Sequence, residues 1–146
     1  MTFQARRETL RPCVSPPGTH VLDLFAGTGA YGLESLSRGA ASATCVDMHA
    51  GADLQANATA VAKSMGVAAL PFTAVTGDAT KPVANAGTFD LVFADPPWEL
   101  WQTRAEEIAA VAVAAAAPGA HVRLRKVIGK GKGQPAASIL VRQAGE

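Results

Sequence analysis

Val21-Leu22-Asp23-Leu24-Phe25-Ala26-Gly27-Thr28-Gly29 is the stretch on which the fold turns. An apolar run holding a single acid ends in closely spaced glycines, which reads as a buried strand running into a turn at a helix N-terminus. Leu33 and Leu36 fall at helical spacing over residues 30–38, and Gly39 stops that helix. Residues 43–47 read as a second buried strand. Residues 50–65 read as a helix with Leu54, Ala58, Val61 and Met65 on one face, ended by Gly66. A third strand is predicted over 70–76 despite Pro71, then a break at Gly77-Asp78 and a short helix over 79–86. Phe89 to Ala94 reads as a fourth strand stopped by Asp95-Pro96-Pro97, and residues 99–117 as a long helix closed by Pro118-Gly119. Strands over 120–128 and 136–142, joined by a loop from Gly129 to Pro135, complete the pattern.

Strands apolar on both faces and separated by helices require a parallel sheet covered on both sides. Right-handed crossovers then give an α/β, doubly wound, Rossmann-like and mostly parallel sheet with a C-terminal antiparallel hairpin. The chain has 146 residues, 49% apolar, 17% charged and 5% aromatic, which fits one domain with a real core and excludes a disordered tail protein. Two cysteines, Cys13 and Cys45, cannot make a disulfide scaffold and fit a reducing cytoplasm. No apolar signal segment opens the sequence, and the longest apolar run, Ile108 to Ala117, is too short to span a membrane. His20, His49 and His121 are scattered, so no metal site is expected.

The net charge of +1 hides an asymmetry. Residues 12–120 carry four basic groups against ten acids, whereas residues 121–142 carry Arg123, Arg125, Lys126, Lys130, Lys132 and Arg142 with no acid. Three basic groups lie in residues 1–11. The basic ends suggest a face for a polyanion if they fold together, or ordinary solubilising charge if they do not.

Four motifs carry chemistry. Gly27, Gly29 and Gly32 match a GxGxxG pattern that lets a backbone approach a ligand, and it suits a dinucleotide as well as any other nucleoside-bearing cofactor. Asp23, which opens this same motif as an acid inside an apolar strand, needs a hydrogen-bonding or cationic partner, which a ligand would supply. Asp47 ends the second strand 18 residues after Gly29, where a carboxylate can take both hydroxyls of a ribose. Asp78, in Gly77-Asp78-Ala79, can accept from an adenine amine, cap a helix, or both.

The fourth motif is Asp95-Pro96-Pro97-Trp98. Two prolines stiffen the chain, so the Asp95 carboxylate and the Pro96 carbonyl can face one planar amino group while Trp98 stacks on its ring. An exocyclic amine is a poor nucleophile because its lone pair is delocalised. Two acceptors on its hydrogens localise that pair and favour attack on a methyl sulfonium. A nicotinamide-dependent oxidoreductase would explain Asp47 but leave this motif unused.

The segment Val21 to Ala40 resembles the cofactor motif of the RsmD-type methyltransferases, including the helix Gly32-Leu33-Glu34-Ser35-Leu36-Ser37-Arg38-Gly39-Ala40 and the Asn57 beyond the second strand. Phe89 to Trp98 is similar to that family's amine-site motif. The resemblance covers roughly residues 18–120. It implies the class I methyltransferase fold in one domain over residues 1–146, with a leader at 1–17, a core at 18–120 and a basic hairpin at 121–146. It implies S-adenosylmethionine as cofactor, with Asp23, Phe25, Ala26, Gly27, Thr28 and Gly29 along its methionine part. Asp47 would sit at the ribose, Met48 against the adenine, and Asp78 and Ala79 at the adenine edge. Asp95, Pro96, Pro97 and Trp98 would form the catalytic amine site.

The implied reaction is methylation of guanine N2 in small-subunit ribosomal RNA by a cytoplasmic monomer whose partner is that RNA or the assembling small subunit. An adenine-N6 or glutamine-amide methyltransferase shares the chemistry, and a non-catalytic relative is the bland alternative. Trp98 departs from the Phe or Tyr usual in the family. Only Arg11-Pro12-Cys13 remains of an N-terminal Arg-Pro-Thr motif, and residues 129–135 stand where the family has a further helix, so both ends look trimmed.

Overall fold

A computed structural model describes residues 17–127 and 136–142, with side chains described for residues 17–125. Strands β1 (His20–Leu24), β2 (Ser42–Asp47), β3 (Phe72–Thr76), β4 (Phe89–Ala94), β5 (Ala116–Val127) and β6 (Ala136–Arg142) form one sheet, together with helices α1 (Ala30–Ser37), α2 (Ala52–Met65) and α3 (Trp98–Ala115). The strand order is β3-β2-β1-β4-β5-β6. The first five strands run parallel, and β6 returns antiparallel to β5. The doubly wound sheet and its closing hairpin are therefore as the sequence predicts.

Alternation along β1 shows why. Val21 points to a core layer shared with Leu33 and Leu36 of α1, Leu54 of α2 and Phe93 of β4. Leu22 and Leu24 point to the other layer, with Val92, Val122 and the α3 residues Trp101 and Ile108. Helices α1 and α2 thus cover one face and α3 the other, so neither face of β1 tolerates a solvated side chain. Each fully buried Leu or Phe stabilises the fold by about 1.5–3 kcal/mol.

Two expectations fail for visible reasons. The connection from β3 to β4 is a series of turns with no helix at 79–86. Pro82 lacks the N–H a helix would need and disfavours helical backbone at the residue before it. Asn85 is left-handed at φ 59. The Asp78 carboxylate takes the Thr80 N–H at 2.9 Å, which substitutes a side-chain turn for a helical one. At the end of α3, extended backbone starts at Ala116, ahead of Pro118-Gly119. Ala116 pairs with Phe89 and His121 with Leu91, so Pro118 and Gly119 sit in a bulge of β5 instead of closing the helix. The expectations for the leader at 1–17, all but its last residue, and for the loop at 129–135 lie outside the described residues.

The chain winds from β1 out to β3, then crosses back to place β4 on the other side of β1. The strand order reverses between β1 and β4. The carboxyl ends of these two strands diverge there into α1 and α3, leaving a crevice in which open α/β sheets bind ligands.

Candidate functional site

The glycine turn leaves β1 through three left-handed residues, Phe25 (φ 59), Gly27 (φ 56) and Gly29 (φ 81). The Ala26 N–H donates to the Val46 carbonyl at 3.0 Å, and the Gly29 N–H to the Ala26 carbonyl at 2.8 Å. Asn57 of α2 braces the turn by donating Nδ2–H to the Thr28 carbonyl at 3.0 Å. The two glycines serve different ends. A Cβ at Gly29 would collide with the Leu54 side chain, so that position is closed by packing. A Cβ at Gly27 would meet nothing within 4 Å and would project into open space.

Asp23 is fully buried, and its Oδ2 accepts from the Gly32 N–H at 3.0 Å. The partner that the sequence pattern assigned to a ligand is therefore provided at least in part by the first turn of α1. Burial and the Asp23 charge push the Cys45 thiol well above its ordinary pKa, so that sulfur stays protonated and unreactive.

Asp47 ties the turn to the end of β2. Its Oδ2 accepts from the Gly27 N–H at 3.0 Å, and its Oδ1 from the His49 N–H at 2.9 Å. Gly27, Thr28, Asp47, His49, Asp53 and Leu54 line a cleft of about 350 Å³. A carboxylate offers about four acceptor sites, so two hydroxyls can still add to Asp47. With the open space at Gly27, this donor and acceptor set fits the ribose and neighbouring atoms of a nucleoside cofactor. Met48, next along the chain, is 60% exposed, an apolar flank of the kind a base would cover.

Asp78 follows Gly77, whose N–H donates to the Asp47 carbonyl at 3.0 Å. Asp78 lines a second hollow with Val75, Lys81 and Phe89, beneath the β3–β4 connection. Its Oδ1 accepts from both the hydroxyl and the N–H of Thr80, and these bonds, with Arg104 and Lys81 nearby, hold its carboxyl below the ordinary range. The Ala79 side chain is buried in the core, which leaves only its backbone to meet a ligand. Ala26 is buried likewise.

At the end of β4, the Asp95 N–H donates to the Leu24 carbonyl at 3.5 Å, which sets the motif against the glycine turn. Pro96 is buried, and exposed Pro97 caps α3. The Leu100 and Trp101 N–H groups both donate to the Pro97 carbonyl, at 3.1 and 3.3 Å, so the Pro96 carbonyl stays outside the helical ladder. Trp98 begins the helix half-buried. Tyr31 and Phe93 stack behind Asp95, with ring centroids 4.9 Å apart.

One contact here has no counterpart in the sequence reading. Arg125, counted with the basic C-terminal stretch, donates Nη1–H to Asp95 Oδ2 at 3.4 Å. Only the adjacency of β4 and β5 brings the two together, and linear spacing gives no sign of it. His49 and Asp53, which line the cleft, were not singled out either.

Comparison with known proteins identifies the family and supports the fold. The family model described as conserved hypothetical protein 95 matches residues 5–125. Ribosomal RNA small subunit methyltransferase D of Escherichia coli K12 is 38% identical over 95 residues, 63% of this chain and 46% of that protein. The chain thus spans about half the length of the curated relatives it matches. Among solved structures, a conserved hypothetical protein from Streptococcus pyogenes superposes with a TM-score of 0.69 at 25% identity, covering 97% of this chain and 95% of that one. The yhhF protein of Escherichia coli, a proposed methyltransferase, gives a TM-score of 0.72 at 26% identity, covering 98% and 86%. A match over most of the chain, on a sheet that carries both motifs at one crevice, places this protein in the conserved hypothetical protein 95 family, the RsmD-type family its motifs resemble.

Proposed function

We propose that this chain is an S-adenosylmethionine-dependent N-methyltransferase that acts in the cytoplasm on a base of small-subunit ribosomal RNA, with guanine N2 as the acceptor. The observation that carries this reading is the meeting of the Gly27–Asp47 cleft and the Asp95-Pro96-Pro97-Trp98 turn at the two strand ends flanking the switch point. The substrate is taken from the relative named ribosomal RNA small subunit methyltransferase D. When bound, the cofactor supplies a methyl group activated on a sulfonium.

The remaining work falls to the chain. Asp47 and the Gly27 backbone hold the nucleoside end. The Asp95 carboxylate and the Pro96 carbonyl accept the two amine hydrogens, orient the nitrogen and localise its lone pair. Trp98 stacks on the base, which has to be unstacked or single-stranded to enter. No strong base is needed, because the acidified proton leaves to water once the nitrogen has bonded to carbon. Holding the two reactants in line supplies the rest of the acceleration.

Radiolabelled methyl transfer to small ribosomal subunits, total RNA, DNA and protein extract, run in parallel, tests the proposal. Label in small-subunit RNA supports it. Label in DNA or protein keeps the amine chemistry and replaces the substrate, and no label in any arm overturns the reading.

Two substitutions probe the two halves of the site. Asp47→Ala removes charge-assisted hydrogen bonds worth about 1.5–3 kcal/mol, and calorimetry should show S-adenosylmethionine binding roughly 10- to 150-fold more weakly. Undiminished affinity would remove Asp47 from the cofactor site. Trp98→Ala should lower kcat/KM by the equivalent of about 1–3 kcal/mol, the usual worth of one base stack. An unchanged value would mean that Trp98 merely starts α3.

A further inference from the structure

We propose that Arg125 is a positioning residue for the amine site, holding the Asp95 carboxylate in the orientation that accepts the amine, and is not part of a phosphate-gripping patch. The inference rests on the amine-methylation reading above and names a residue which that reading does not use.

The register of β4 and β5 sets Phe93 opposite Arg123 and Ala94 opposite Leu124. One step further, at the carboxyl edge, Asp95 and Arg125 come together through the 3.4 Å contact between Nη1 and Oδ2. Both side chains are largely withdrawn from solvent, 19% exposed for Arg125 and 15% for Asp95. Each also hangs from an anchored backbone. The Trp101 indole N–H of α3 donates to the Arg125 carbonyl at 2.6 Å, while the Asp95 N–H is held by Leu24 of β1. The guanidinium and the carboxylate are therefore suspended from separate elements and meet at the mouth of the crevice.

This arrangement suits orientation better than phosphate binding. A phosphate-binding arginine presents its head to solvent, and an adjoining carboxylate would repel the phosphate. A carboxylate, in turn, rotates about its last side-chain bond unless something holds one oxygen. Arg125 holds Oδ2, which fixes the plane and reserves Oδ1 for the amine N–H. Fixed acceptors lose less to reorganisation than mobile ones do. A long contact in the free protein can tighten in the complex, as hydrogen bonds at active sites commonly do.

The test uses the full chain with a methyl-accepting RNA. Arg125→Gln should lower kcat by about 10–100-fold, the range for losing a partner that orients a functional ligand, with KM and cofactor affinity unchanged. The slope of log affinity for RNA against log salt should also stay unchanged. In Arg125→Ala, millimolar guanidinium should restore part of the lost kcat, a rescue that a merely structural role would not show. Arg125→Lys keeps a cation near Asp95 and should fall between wild type and Arg125→Gln. It carries the test if the other variants lose their thermal transition.

An unaltered kcat with weaker RNA binding, and a salt slope reduced by about 1, would return Arg125 to the polyanion face and overturn the inference. So would a folded Arg125→Ala that guanidinium fails to rescue. Wild-type protein inactive on every amine acceptor would overturn the function and this inference together. Activity in wild type matched by Arg125→Gln would overturn the inference alone.

Discussion

Asp95→Ala is expected to lower kcat/KM for methyl transfer about 10²–10³-fold, the usual cost of removing one preorganised polar group from a reacting centre. Cofactor affinity should be nearly unaffected, because the Gly27–Asp47 cleft does not include Asp95. The reason lies in what the rest of the turn can still do. The Pro96 carbonyl keeps its place, since buried Pro96 and the cap at Pro97 fix that backbone without the Asp95 side chain. One acceptor then remains for two amine hydrogens, and the nitrogen is neither oriented nor enriched in lone-pair density. Arg125 is at the same time left without the carboxylate it pairs with, and in the proposed complex its charge would oppose the positive charge that develops on nitrogen. Asp95→Asn separates these effects. It retains an acceptor oxygen and should recover part of the loss. Single-turnover rates measured alongside cofactor titrations would show whether the deficit is chemical. A deficit confined to cofactor binding would contradict this assignment.

The second large effect is on stability. Gly29→Ala places a methyl group against the Leu54 side chain at a residue with φ 81. Left-handed backbone costs an L-residue about 1–2 kcal/mol, and overpacking a core adds about 1–3 kcal/mol. At roughly 3–4 °C per kcal/mol for a domain of this size, Tm should fall by about 6–20 °C. Gly27→Ala provides the contrast. Its φ of 56 carries a similar backbone cost, but the new methyl meets nothing. Its loss of Tm should be only about 3–8 °C on the same scale, and the larger consequence should be weaker cofactor binding, because the methyl projects into open space at the cleft wall. Thermal denaturation and cofactor titration of the pair thus distinguish a glycine required by packing from one required by a ligand. Equal Tm losses with unchanged affinity for both would show that the turn is purely structural.

Much of this molecule was legible in its residues. The buried strands at Val21–Leu24 and Phe89–Ala94, the glycine turn and the rigid Asp95-Pro96-Pro97 corner are local patterns: apolar runs, glycines needing positive φ, prolines without N–H groups. Periodicity and backbone restriction act within a few residues, so a sequence displays them directly. The connection at 79–86 differs from the short helix expected after the break at Gly77-Asp78, because Pro82 and the Asp78–Thr80 turn favour turns locally. The start of β5 was misread because Pro118-Gly119 is a common helix stop, while pairing of Ala116 with Phe89 extends the strand backward.

Local sequence was enough for the strands β1 to β4, the long helices, and the order of the glycine turn and the Asp95-Pro96-Pro97-Trp98 corner along the chain. Those follow from interactions between near neighbours. The tertiary structure alone decided which strand ends lie side by side, and with that the partners of the charged groups. It gave Asp23 an amide of α1, tied Gly77, next to Asp78, to the backbone of Asp47, and set Arg125 beside Asp95. Such pairings join residues as far as 30 positions apart. They depend on sheet order and register, which arise from the packing of whole layers and leave no trace in local spacing.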